Sequence, residues 1–259
     1  MKLLTCVYIE AKKLFKSRIP IISLLALMLI PFIGGFFMFI LKDPSLAESL
    51  GFISAKAQIM GRADWPSYLS LISQAISIGG IFAFGFISSW IFGREYADRT
   101  IKDLLALPIS RTTIVLAKFL VTLIWGIFLS LLVLVLSLLV GYLVNITGFS
   151  TYLLFQAARA YMLSSLLTIL LSSPVGFMAS FSRGYLSPLA FIVFTLILAQ
   201  IVATTGYGEF FPWSIPALIA VSIENPDIVL GSLSIWLVLF ASGIGLLATI
   251  FWWKYADQH

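Results

Sequence analysis

Six stretches of mainly apolar residues, at 19–41, 68–92, 114–144, 160–181, 185–202 and 229–253, constrain this chain more than any other feature. About 20 such residues in a helix cross roughly 30 Å of hydrocarbon, and each stretch meets or approaches that length. Leu, Ile, Phe and Ala fill successive positions without the period-two alternation of barrel strands, so the stretches read as lipid-embedded helices. Composition agrees: 61% of residues are hydrophobic and 10% charged, against about 25% charged in a soluble domain. So little charge cannot clothe a water-soluble fold. The expected fold class is therefore an all-α membrane protein with six transmembrane helices. The third stretch would be about 47 Å long as a helix, so its first turns, around Lys118, are expected to project beyond the bilayer. A disulfide framework is excluded, and Cys6, the one cysteine, reads as a small apolar residue on an N-terminal helix.

The net charge of +5 comes from basic residues placed asymmetrically about the spans. Lys2, Lys12, Lys13, Lys16, Arg18, Arg94, Arg99, Lys102, Arg111, Lys118, Arg183 and Lys254 fall on one side; only Lys42, Lys56, Arg62 and Arg159 fall on the other. The positive-inside rule then puts both termini and the loop between spans two and three in the cytoplasm, as expected of a multi-pass protein of the cell (plasma) membrane. Trp252 and Trp253 beside Lys254 are expected to anchor the chain at that interface. No basic run forms a nucleic-acid patch, so no nucleic-acid partner is expected.

A signal peptide fits the N-terminus poorly, because the first apolar run is long and no small-x-small cleavage site follows it. Residues 1–18 instead form an amphipathic pattern. Leu3, Leu4, Val7, Tyr8, Ala11, Leu14 and Phe15 share a helical face, while Lys2, Glu10, Lys12, Lys13 and Lys16 occupy the rest. An interfacial helix on membrane lipids is expected there, either as a topology-setting anchor or as a contact for a partner. Residues 19–259 follow as one six-helix unit without an internal repeat or linker.

Absent chemistry narrows the function. His259 is the only histidine, which disfavours a Ser-His hydrolase, a histidine metal site or a haem. No carboxylate lies mid-span to couple protons or sodium, and Arg159 reads as a side chain snorkelling from the outer end of span four. The phosphate-cradling G-x-x-x-x-G-K-[ST] does not occur, so ATP-driven work would fall to another polypeptide. No catalytic residue, cofactor or metal is expected.

Three segments carry pattern of their own. In the loop 93–111, Thr100 and Asp103 resemble a capping box, Ile101, Leu104, Leu105 and Leu107 supply an apolar edge, and Pro108 ends the helix. The element is either a docking helix or an interfacial elbow, and Ser110 can cap the span that follows. Between spans five and six, residues 210–222 are apolar, too short to span and broken by Pro212 and Pro216, which indicates a re-entrant or interfacial hairpin. Span two carries Ser70, Ser73, Gln74, Ser77 and Gly80 at helical spacing, either for a close helix contact or to line a substrate path.

The string from Glu95 through Asp98, Arg99, Thr100, Ile101, Lys102, Asp103, Leu104, Leu105, Leu107, Pro108 and Ser110-Arg111 to Lys118, placed after the second of six spans, resembles the signature of type-2 ABC permeases. That family's pattern has an acidic residue, Gly-Thr, Leu-Leu, Pro, Ser-Arg and Lys; this chain has Arg99 where Gly is usual. The resemblance implies that residues 100–107 are the coupling helix seated in a separate ABC ATPase subunit, with Glu95 fixing the loop. It also implies two ATPase chains, a second permease chain, identical or homologous, and a substrate path along spans two and five, on which Ser73, Gln74 and Ser77 would lie if the span-two stripe lines that path. Phe211, Pro212, Trp213 and Pro216 would belong to an external gate. The implied function is export of a hydrophobic or amphipathic compound. The alternative is an accessory membrane scaffold that recruits a cytosolic protein without transport.

Overall fold

Lipid offers no partner to a free backbone N–H or C=O, and the computed structural model meets that requirement with helices. It describes residues 2–43, 62–106, 108–223, 225 and 230–256. In chain order these form α1 (Lys2–Phe15), α2 (Ile19–Lys42), α3 (Trp65–Ala97), α4 (Ile101–Leu105), α5 (Arg111–Leu143), α6 (Thr151–Leu170), α7 (Ser172–Ser182), α8 (Leu186–Thr204), a 3-10 turn at Gly208–Phe210, α9 (Ile215–Val221) and α10 (Ser232–Tyr255). Among the described residues no strand forms; there is a single bridge between Asp64 and Thr147. Six helical spans, counting α6 with α7 as one, are long and apolar enough to cross a membrane.

Polar residues extend the helices past the apolar stretches. Helix α3 begins at Trp65 because the Asp64 carboxylate accepts from Ser67 N at 2.9 Å and Pro66 suits the first turn. It continues five residues beyond the apolar run, through Arg94 and Glu95. Helix α5 starts where Ser110 Oγ accepts from Thr113 N at 3.2 Å, the cap anticipated for that serine. The fourth span is divided at Leu171. Pro174 has no N–H to offer the Leu170 carbonyl, and the Ser173 hydroxyl donates to that carbonyl at 2.9 Å instead.

Helix α3 is the central pillar, packing on α2, α5, α6, α7, α8 and α9. Its core-facing residues include Tyr68, Ile72, Ile76, Phe84, Ile87 and Phe92, all essentially inaccessible. Helix α10 crosses α7 so closely that a Cβ on Gly245 would lie 2.4 Å from Pro174 N, and Ser173 Oγ also donates to Ser242 O at 2.7 Å across that crossing. Short helix α9 is wedged between α3 and α6. The carbonyls of Pro216 and Ala220 accept from Ser77 and Ser70 of α3. Helix α9 therefore runs antiparallel to α3, with its first turn level with Ser77, twelve residues or about 18 Å inside the start of α3.

Candidate functional site

At the end of the bundle that collects most of the basic residues, four charges from three helices meet, three of them buried and the fourth, Lys13, partly exposed at the edge. Lys118 of α5 is 0% exposed. Its ammonium donates to Glu10 Oε2 at 2.9 Å, to Glu95 Oε1 at 3.1 Å and to the Ile91 carbonyl at 2.9 Å. Three donors thus meet three acceptors. Lys13 of α1 completes the circuit, donating to Glu10 Oε1 and Glu95 Oε1, each at 2.8 Å. Two carboxylates and two ammonium groups cancel. Burial pushes the Glu10 carboxyl up, but Lys118 and Lys13 overcome this and hold it below the ordinary range. Burial likewise depresses Lys13, and the two glutamates reverse that effect and raise it above its usual value. Such a set contributes little net stability over an apolar core, yet losing one member strands the others. Its consequence is positional.

The circuit reaches α4 through Glu95. The second oxygen of that carboxylate accepts from Thr100 Oγ1 at 2.7 Å, so Thr100 does not cap α4 with its side chain, contrary to the capping-box pattern. Helix α4 is shorter than the expected 100–107 element, and Leu107 lies outside the described residues. Ile101 is buried and Leu104 and Leu105 pack partly against the main core, while Lys102, Asp103 and Pro108 face outward. Asp98 pairs with Arg94 at 3.2 Å.

Arg99 occupies the left-handed region, with φ 57°. Thr100 N donates to Glu95 O at 3.0 Å and Arg99 N to Tyr96 O at 3.2 Å, the two bonds of a Schellman cap. The departure from glycine noted in the sequence therefore falls where the backbone most favours glycine.

Helix α1 turns inward part of the apolar face read from its sequence, together with Glu10. Cys6, Glu10 and Leu14 are buried; Val7 and Ala11 are half-buried, and Leu4, Tyr8 and Phe15 of the expected apolar face are exposed. The tryptophan pair also divides. Trp253 is fully buried and donates to Ser180 Oγ at 2.9 Å, so it is a core residue and not an interfacial anchor; Trp252 is half-buried. Arg111 caps this end of α10 by donating to the Trp253 and Lys254 carbonyls at 2.9 and 3.3 Å.

The serine stripe of α3 is spent inside the chain. Ser73 Oγ donates to Leu69 O at 2.7 Å and Gln74 Nε2 to Ser70 Oγ at 3.0 Å. Ser77 meets the Ser164 hydroxyl of α6, and both serines reach the Pro216 carbonyl. Beside them Ser214 Oγ donates to Phe211 O, and Trp213 packs edge-on against Phe191 with centroids 5.8 Å apart. Pro216 is buried, and Phe211 and Pro212 are half-buried. Arg159 lies eight residues after the start of α6 and is exposed beside a cavity that Ser130 and Ser165 also line.

Sequence reasoning singled out Glu95 and Thr100 but missed Lys13 and Lys118 as the partners of Glu95, and Glu10 as the second carboxylate of the circuit. One signal for Glu10 was available: Cys6 and Leu14 stand four residues to either side, on its own helical face.

Residues 6–200 fit the pattern of the family described as ABC-2 family transporter protein. The bacitracin transport permease protein BCRB of Bacillus licheniformis is 32% identical over 180 residues, covering 70% of this chain and 86% of that protein.

Proposed function

This chain belongs to the ABC-2 family of transporter proteins and is a multi-pass permease subunit of an ABC transporter; from that premise we propose how it works within an exporter. Helix α4, with Asp98, Arg99 and Thr100 before it and Leu107 and Pro108 after it, is the coupling element. Its charged face, Lys102 and Asp103, docks on a separately encoded ATPase subunit, two copies of which serve two permease chains. The observation that carries this reading is the Glu95 carboxylate, which binds Thr100 at the start of α4 and Lys118 of α5 at once. A push on α4 is thereby passed to α1, α3 and α5 as one body, because no member of the circuit can leave without stranding a buried charge.

The substrate, a hydrophobic or amphipathic compound, passes between two permease chains along α3 and α8. Helix α8 buries only Pro188, Ile192, Thr195 and Ala199, leaving Val193, Phe194, Ile197 and Ile201 open on its other side to lipid or to a second chain. Phe211, Pro212, Trp213 and Pro216 form the external gate. Withdrawal of α9 frees Ser73, Gln74 and Ser77 to line the path. Both termini and α4 face the cytoplasm in this reading, with α1 as an interface helix on the same side, and ATP hydrolysis belongs to the partner subunit.

The test is charge reversal of the exposed face in a Lys102→Glu/Asp103→Lys variant, co-expressed with the ATPase subunit. Loss of the ATPase from the purified complex, or loss of ATPase stimulation by bacitracin, the compound in the relative's name, is the expected result. Unaltered assembly and activity would remove α4 from the interface. Purification with a partner that lacks ATPase activity would instead support a scaffold.

A further inference from the structure

We propose that a groove between α1, α3 and the turn before α8 is a binding site for the phosphate headgroup of an anionic phospholipid. The inference rests on the chain being a membrane protein and is independent of the coupling reading. The groove encloses about 460 Å³, within the range of sites that hold small ligands, and Lys12, Lys16, Trp90, Arg94, Asp98 and Tyr185 line it. Its charges do not balance. Asp98 is taken by Arg94 at 3.2 Å, and Lys13, which also borders the groove, is committed to Glu10 and Glu95. Lys12 on the last turn of α1 and Lys16 just past its end, four residues on, are exposed and have no carboxylate within ion-pair distance among the described residues. Two ammonium groups beside a guanidinium stacked 5.1 Å from the Trp90 ring form a cationic cup with an aromatic wall.

The surroundings favour a lipid over a soluble anion. Trp90, Phe86 and Phe82 follow one another at single-turn spacing along α3, half-buried at the groove and exposed at Phe82, so an aromatic strip leads from the cationic cup into the membrane-spanning part of the helix. Ile9 lines the groove and Leu186 follows Tyr185; both are exposed. A headgroup held by Lys12 and Lys16 would thus have an apolar track for its acyl chains. Basic pockets at the ends of membrane helices suit anionic headgroups for this reason, with each lysine near the surface adding to the attraction.

The experiment uses the full chain in complex with its ATPase subunit, extracted in mild detergent with phosphatidylglycerol and phosphatidylcholine, and counts retained lipid by native mass spectrometry. Wild type and a Lys12→Arg/Lys16→Arg variant should retain phosphatidylglycerol in preference to phosphatidylcholine. A Lys12→Gln/Lys16→Gln variant should lose that retention on the order of tenfold, while Lys254→Gln, outside the groove, keeps it. Inorganic phosphate should not displace the lipid. Equal retention by the glutamine variant, equal retention of phosphatidylcholine, or displacement by inorganic phosphate would each overturn the proposal. Loss of the ATPase subunit with lipid retention intact would give the groove to a protein partner and overturn it too.

Discussion

The ammonium of Lys118, wholly buried in α5, lies 3.1 Å from the carboxylate of Glu95 in α3, and that carboxylate also holds the hydroxyl of Thr100 at 2.7 Å. The start of α4 is thereby fixed to two long helices through one side chain. Replacing Lys118 by Met leaves Glu10 and Glu95 facing a single counter-charge. The expected loss is about 3 to 5 kcal/mol, read as a fall in thermal stability in detergent, and adding Glu95→Gln to the same chain should recover part of it. If the two substitutions act additively, the pair is not coupled.

Glu10 holds α1 against the bundle, and Cys6, 7% exposed and the only cysteine, lies on the same stripe one turn away. A Glu10→Gln variant should release that stripe and raise the rate at which a maleimide labels Cys6 at pH 7 by several-fold. An unchanged rate would mean that Leu14 and its neighbours hold α1 without the ion circuit.

The pH dependence of that docking has a definite sign. The Glu10 carboxyl sits below its ordinary value of 4.5 in the folded chain, so its contribution is fully present above that value and is lost as pH falls through the lower, folded one. Lys13 is raised above 10.5, so its contribution is present below that value and is lost as pH rises through the higher, folded one. The gap in melting temperature between wild type and Glu10→Gln should hold steady from about pH 5 to pH 10 and close on further acidification. A gap that closed between pH 6 and 7 would point to some other group.

Arg99 bears a left-handed conformation that costs a non-glycine residue about 1 kcal/mol. Arg99→Gly should relieve this, offset in part by the extra freedom glycine has when unfolded. Amide exchange at Thr100 and Ile101 should slow by up to about fivefold, the factor for about 1 kcal/mol. Faster exchange would show that the guanidinium steadies the turn by contacts that outweigh the strain.

Gly245 is tested by addition of one methyl group. A Cβ there would fall 2.4 Å from Pro174 N and 2.7 Å from Ser173 C, which are backbone atoms that cannot rotate away. Gly245→Ala should force α10 off α7, break the Ser173 to Ser242 bond and cost about 1 to 3 kcal/mol. Full stability in this variant would mean that the two helices slide freely.

The number of spans and their all-helical character are local properties. They depend on apolar length and on backbone groups that must pair within their own segment, so both can be read along the chain from runs such as 19–41 or 114–144. Caps are equally local, and Ser110 performs the role its position suggests. Which face of each helix meets which neighbour is not local. Only packing decided that Glu10 turns inward while Leu4 and Tyr8 turn out, that Trp253 enters the core while Trp252 stays at its edge, and that the serines of α3 are spent on α9 and α6. An amphipathic pattern ranks residues by their preference for water, and a buried ion circuit reverses that ranking. Glu10, Glu95 and Lys118 each look like surface residues alone and become core residues together, with the partly exposed Lys13 closing the circuit, because their charges cancel only once three helices bring them within 3.1 Å.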